Sequence, residues 1–287
     1  MSEALSEVKL AEPEEAVLDE PKVFIGIPTG PTKLYSTYYM VAALANLDYS
    51  NLEIHWAVTG GFDDGIFHKF RTRLTKLMEA VKWPDTVSWC IHYVPLSKKE
   101  RFTNFTPILR NKTVLRDTFL DGDAEYFLLL GGDNPPQRNA INRLLKVDAD
   151  VSIGTCYQRP DVDKEAGVYP LLWRYTWMPK ELEQFEDLHP LVLEELRLAW
   201  LHTPSMINVL LDPNWRRRKI LWNITGGDGC ALIKRCVLEM IDWGVTPDHA
   251  YHSEDIHFMS LALWHGFSTA AATDLHVPHM APDGLVY

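Results

Sequence analysis

Four short polar clusters in this 287-residue chain carry side chains able to do chemistry. Asp133 and Asn134 follow the apolar run YFLLLGG, so a carboxylate emerges where a strand buried on both faces ends. In an α/β sheet the carboxyl ends of strands are where ligands bind. Pro135 and Pro136 offer no N–H to a ladder and hold that carboxylate in a short, stiff loop. The same Gly, Asp and Asn would also satisfy a tight turn for backbone reasons alone. Glu254 and Asp255 open a mostly apolar helix behind Ser253; capping and the helix dipole account for their types, but two adjacent acids at the mouth of a buried helix suit a cavity better than bulk water. His276 and His279 come late in the chain. A histidine there is commonly structural, yet a pair of them near a strand-end Asp can ligate a metal. Gly226, Gly227, Asp228 and Gly229 form either a plain turn or a point where a ligand approaches the backbone closely.

These clusters need elements to hold them. Val23–Ile27 reads as a buried strand, with Pro28, Thr29, Gly30 and Pro31 as a rigid loop at its carboxyl end. A helix over Ser36–Leu47, a strand over Glu53–Val58, an amphipathic helix (Ile66, Phe67, Phe70, Leu74, Leu77, Met78, Val81) and a strand over Val87–Val94 follow. This alternation predicts a parallel sheet with crossover helices. A helix over Pro107–Phe119, with Arg110, Asn111 and Lys112 near its start, feeds the Asp133 strand; a helix at Ala140–Leu145 returns to a strand at Val151–Cys156.

The pattern breaks over residues 158–223, which hold Trp173, Trp177, Trp200, Trp215 and Trp222, a helical stretch Pro179–Trp200 and the basic run from Arg216 to Lys219. Extra core for a long insertion explains the aromatic residues most simply; a platform for the C–H face of a sugar is the competing reading. The regular pattern resumes with a strand at Ala231–Lys234, a helix to Ile241, a helix Ile256–His265 that is apolar on nearly every face and so expected to be buried, and a last short strand, Ser268–Thr273.

A net charge of −11 argues against sequence-independent nucleic-acid binding. Much of it sits in residues 1–21, read as an acidic, solvated tail: Glu3, Glu7, Glu12, Glu14, Glu15, Asp19 and Glu20. There is no apolar run of membrane-spanning length, and the acidic N-terminus is unlike a signal peptide, so a cytoplasmic protein without a transmembrane segment is expected. Cys90, Cys156, Cys230 and Cys236 show no CxxC pair and read as buried thiols.

Taken in order, the PTG loop after the first strand, the RNK helix start, GGDNPP, GGDGCALIKR, SEDIHFMSLALWHGF and HVPHM resemble the nucleotide-sugar-dependent glycosyltransferases of the GT-A fold, in particular the inverting, family 2-like enzymes. The resemblance covers most of Val23 to His279 and is weakest over 158–223. It implies an α/β, GT-A type fold: one catalytic domain over 22–287, a mostly parallel central sheet flanked by helices, and a Trp-rich helical insertion on the acceptor side. By the same resemblance Asp133 is the metal-binding Asp of the DxD motif, whose first Asp is here Gly131, and His279 is the second metal ligand, with Mn²⁺ or Mg²⁺ as the cofactor. Asp255 falls on the general base and Glu254 on its acceptor-placing neighbour. Pro28, Thr29, Arg110, Asn111 and Gly132 fall on the nucleotide side, and Gly227 and Asp228 on the acceptor pocket, with Trp222 and Trp173 as acceptor contacts. The implied partners are a UDP- or GDP-linked sugar donor and a glycan or other hydroxyl acceptor, with no nucleic acid. Two alternatives stand beside this. One is a catalytically silent sugar- or protein-binding module, to which Gly131 lends weight. The other is a nucleotidyltransferase, for which the first loop, with two prolines and one lysine, is a poor triphosphate cradle.

Overall fold

Strand alternation decides which side chains face which layer. In β1 (Val23–Thr29), Val23, Ile25 and Ile27 point to one face of the sheet and Phe24 to the other. A computed structural model describes residues 20–60, 64–96, 106–158, 169–170, 173–176, 205–208, 217–227, 229–243 and 254–282. After β1 come a 3₁₀ turn at Pro31–Lys33, α1 (Thr37–Ala45), β2 (Leu52–Thr59), α2 (Asp64–Ala80), β3 (Val87–Val94), α3 (Thr106–Asp121), β4 (Tyr126–Leu130), α4 (Ala140–Leu145) and β5 (Val151–Gln158). Short strands β6 (Tyr169–Pro170), β7 (Trp173–Thr176), β8 (Ser205–Asn208), β9 (Ile220–Trp222) and β10 (Ile224–Gly226) precede β11 (Cys230–Lys234), α5 (Arg235–Met240), α6 (Glu254–Trp264) and β12 (Thr269–Val277).

The central sheet has the order β3-β2-β1-β4-β11-β5-β12-β9. The first four strands are parallel, β11 runs antiparallel to β4 and β5, β12 is parallel to β5, and β9 closes against β12 antiparallel. The sheet is therefore mixed and mostly parallel: the alternation of elements predicts its parallel first half, while the antiparallel β11 and β9 are departures from that pattern. One core layer sets Ile25, Ile27, Trp56 and Leu128 against Met40 and Leu44 of α1 and Phe70 and Leu74 of α2. The opposite layer sets Phe24, Phe127 and Leu129 against Leu115 and Phe119 of α3 and Phe258 and Met259 of α6. Each fully buried Phe stabilises the fold by about 1.5–3 kcal/mol.

Four expectations need correction or limits. Cys90 and Cys236 are exposed, whereas Cys156 and Cys230 are buried as expected; Cys90 lies on β3, the end strand of the sheet order, so an apolar-looking run there is not covered on both faces. The helix expected to be buried nearly all round is buried along one face only, through Phe258, Met259 and Ala262, and Trp264 is 87 % exposed. The last strand reaches Val277, because a register irregularity between Ala272 and His276 lets it rejoin β5. Within 158–223 the described elements are strands: β6, β9, and β7 with β8, which join β10 in a separate sheet ordered β10-β7-β8. The expected helix Pro179–Trp200 lies outside the described residues, as do residues 1–19 of the expected tail. Glu20 accepts hydrogen bonds from the backbone N–H and hydroxyl of Ser50. Among the described residues no helix is long and apolar enough to cross a membrane.

Candidate functional site

The chain leaves β1 for β2 on one side, while β4 pairs with β1 on the other. Strand order thus reverses between β1 and β4, and the carboxyl ends of such strands leave a crevice between their diverging connections. A cavity of about 490 Å³ occupies that place, walled by the end of β1, the 3₁₀ turn, the start of α3, the loop after β4, Gly229 and the start of α6. A pocket of this volume accommodates a small-molecule ligand.

The Asp133 loop is built by close approach. A Cβ on Gly131 would lie 2.2 Å from Asn134 Oδ1, and one on Gly132 would lie 2.7 Å from Thr29 Oγ1, so neither position tolerates a side chain without rearrangement. An acid at position 131 would require the Asn134 side chain to move. The Gly131 N–H donates to Gly229 O (3.0 Å), the Asn134 N–H to Gly131 O (3.0 Å), and Ser36 Oγ to Gly132 O (2.7 Å), tying the loop to β11 and α1. From the other side the chain beyond β12 crosses over: the Met280 N–H donates to Asp133 O (3.0 Å) and Asn134 Nδ2 to Pro278 O (3.2 Å).

These ties fix Asp133, which is 5 % exposed, among three polar partners. Lys33 Nζ donates to Oδ2, His279 Nε2 is 3.3 Å from it, and the Tyr35 hydroxyl lies 3.0 Å from Oδ2 and 3.3 Å from Met280 O. Burial opposes the charge on Asp133, but hydrogen bonding to His279 and the Lys33 ammonium outweigh it and hold the carboxyl down at about 2. Burial first, and Asp133 next, push the Tyr35 phenol upward, so it remains a protonated donor.

At the opposite wall Lys112 Nζ meets Glu254 Oε1 at 3.0 Å, with both side chains almost fully buried and the ammonium 5.8 Å from the Trp243 ring centroid. The pair joins α3 to α6. Between the two walls Asn111 Nδ2 donates to Thr29 O (3.0 Å), while Asn111 Oδ1 is buried without a hydrogen-bond partner. A buried acceptor left so is costly unless a ligand donor meets it.

Among the expected site residues, Pro28, Thr29, Asn111, Gly132, Asp133 and Glu254 line the cavity. His279 reaches it through Asp133. Asp255 and Gly227 stand together outside the lining set: the Gly227 N–H, at φ 116°, donates to Asp255 Oδ2 at 3.0 Å. A residue with a side chain would be strained at that backbone angle. Arg110 and the 48 %-exposed Trp222 are not among the lining residues. Asp228 and the Trp173 side chain lie outside the described residues. The sequence reading passed over Lys33, Tyr35 and the pairing of Lys112. For Lys33 a signal existed, since it is the one lysine of the first-strand loop; for Tyr35, whose partners Asp133 and Met280 come from distant parts of the chain, there was none.

No protein-family model matches the chain, and no curated protein matches it. Among solved structures the chain is similar to S. aureus TarS, at 13% identity and a TM-score of 0.44, over 89% of this chain and 36% of that one. It is similar to S. aureus TarS 1-349 in complex with UDP-GlcNAc at 12% identity and a TM-score of 0.43, over 89% and 57% of the two chains. A197 from STIV is similar at 14% identity and a TM-score of 0.40, over 92% of each chain. The chain thus spans 36% and 57% of the lengths of the two TarS chains it matches.

Proposed function

We propose that this chain transfers a sugar from a nucleoside-diphosphate sugar to an acceptor hydroxyl, with inversion at the anomeric carbon. The observation that carries this reading is the cavity between the carboxyl ends of β1 and β4, which places a buried carboxylate, two lysines and an unmet amide acceptor around one ligand-sized space. Phosphate oxygens suit the Lys33 end, because that ammonium is partly exposed and can turn from Asp133 to a ligand. A base or ribose donor suits Asn111 Oδ1.

Asp133 and His279 also fit a divalent cation. Their Oδ2 and Nε2 atoms are 3.3 Å apart, close to the ~3 Å between neighbouring ligands of an octahedral ion with bonds of ~2.1 Å. Mn²⁺ or Mg²⁺ held there would lend positive charge to the leaving diphosphate. Asp255 follows the cavity-lining Glu254 without itself lining the cavity, and its Oδ2 accepts from the Gly227 N–H. It is the proposed general base for an acceptor that would enter from that side of the cavity. The acceptor oxygen bonds to the anomeric carbon, its proton passes to Asp255, and the carbon–oxygen bond to the diphosphate breaks with the electron pair leaving on the diphosphate. A single displacement of this kind inverts configuration, by analogy with inverting glycosidases.

Thermal unfolding with UDP, GDP, ADP, CMP and dTDP, each with Mn²⁺ and with EDTA, tests the reading. One nucleoside diphosphate should stabilise the wild type by about 2.7 kcal/mol at a hundredfold excess over Kd, and Asp133→Ala should abolish the effect while keeping the fold. A folded protein that responds to none of them would overturn the transferase reading in favour of a silent sugar- or protein-binding module.

A further inference from the structure

A second group of side chains able to bind a ligand lies at the far end of the sheet. His55 of β2 and Cys90 of β3 are direct partners in the parallel register, and His92 is two residues beyond Cys90, so the three side chains stand on one face. Their donor atoms all lie within 4.8 Å of one another, and His55 Nδ1 is 2.9 Å from His92 Nε2. The imidazole planes lie within 17° of one another with centroids 5.2 Å apart, nitrogen facing nitrogen, and Phe24 stacks on the His55 ring at 4.2 Å. Both histidines are part-buried, whereas Cys90 is exposed.

We propose that His55, Cys90 and His92 form a binding site for a borderline-soft divalent cation, Zn²⁺ foremost, that clamps edge strand β3 to β2. Two imidazole nitrogens and one thiolate are the donor set that zinc prefers and that Mg²⁺ and Ca²⁺, which take oxygen ligands, do not. In a tetrahedral site with Zn–N bonds of ~2.0–2.1 Å the nitrogens would be ~3.3 Å apart, so the histidines must part by a few tenths of an ångström and turn until both lone pairs meet the ion off the N···N line. The larger adjustment falls on Cys90, whose exposed side chain is free to change rotamer. The exposed side leaves a fourth position open to water. An ordinary N–H···N bond between the imidazoles is the competing account, and it assigns no part to the thiol.

The site is separate from the Asp133 cavity, and its test does not depend on sugar transfer. The full chain, stripped with chelator, is titrated with Zn²⁺ alone by calorimetry, and with Co²⁺ as a spectroscopic probe of thiolate ligation. In Asp133→Ala, where the proposed Asp133–His279 cation site is broken, one equivalent should still bind. Because loss of an outer-shell partner alone weakens metal binding about tenfold or more, Cys90→Ser and His92→Ala should weaken it at least that much. Zn²⁺ should also slow alkylation of Cys90 in the wild type without slowing that of Cys236, the other exposed thiol; this arm needs no variant to fold. Absence of binding, unchanged Cys90 alkylation, or binding lost in Asp133→Ala but kept in Cys90→Ser would overturn the proposal.

Discussion

Two lysine–carboxylate pairs face each other across the cavity, and they differ in which partner is free to leave. In Lys112–Glu254 both side chains are buried, at 3 % and 9 % exposure. Separating them would strand a charge in the interior, so this pair serves as a clamp between α3 and α6. In Lys33–Asp133 the carboxylate is just as buried, at 7 %, but the lysine is 37 % exposed. Asp133 keeps Tyr35 and His279 as neighbours when Lys33 moves away. One pair is thus built to stay closed and the other to exchange partners, and a ligand that brings its own charge belongs at the second.

The strongest way to break this comparison is Lys112→Met. Leaving Glu254 buried without its cation should cost about 3–5 kcal/mol, read as a lowered urea midpoint. Adding Glu254→Leu should recover most of that loss, because the buried charge goes with its partner. A cost below about 1 kcal/mol for the single variant would mean that the pair is no clamp. Lys33→Met should sharpen the contrast from the other side. Stability should change by less than about 1 kcal/mol, as for a partly exposed ion pair, while affinity for the stabilising nucleoside diphosphate falls about tenfold to a hundredfold, the worth of one hydrogen bond to a charged group. Equal losses of stability in the two lysine variants would erase the distinction.

The smallest effect is expected at a carboxylate remote from both pairs. Asp150 accepts from the Ser268 N–H (2.8 Å) and hydroxyl (2.7 Å) and pairs with Lys234 at 3.3 Å. Burial opposes its charge, but the bonds from Ser268 and the Lys234 ammonium prevail and lower its pKa. A depressed carboxylate stabilises the fold above its unfolded pKa, and that contribution is lost as pH falls through the folded value. Asp150→Asn should therefore lower stability at neutral pH and flatten its decline in acid, leaving nucleotide binding unchanged. An acid profile that overlays the wild type would show that the Ser268 contacts carry no net stabilisation.

Local patterns made much of the first half legible. Val87–Val94 and Ala140–Leu145 match the observed β3 and α4 end to end, and the Pro107 helix start and the Asp133 strand end fall where expected, because apolar period, proline and glycine act within a few residues. The same local reading led to the error at Cys90. A strand run carries no mark of whether it will lie in the middle or at the end of a sheet; that depends on which strands pair. The reading of α6 as buried nearly all round failed likewise, since composition shows that a helix has apolar residues and not how many of its faces find a partner.

At the site, Asp133, Asn111 and Glu254 were visible as residue types at element ends. Their settings were not. Lys33, Tyr35, Asp133 and His279 come from three distant parts of the chain, and Lys112 and Glu254 are 142 residues apart, so their pairing exists only once β1, β4, α3 and α6 have packed. The residue types and short-range order thus follow from the amino acids themselves, because propensity and pattern act over a turn or a strand. Which lysine is locked, which can swing, and which histidine meets which cysteine follow from burial and strand pairing, and those are properties of contacts between segments that no local stretch of chain contains.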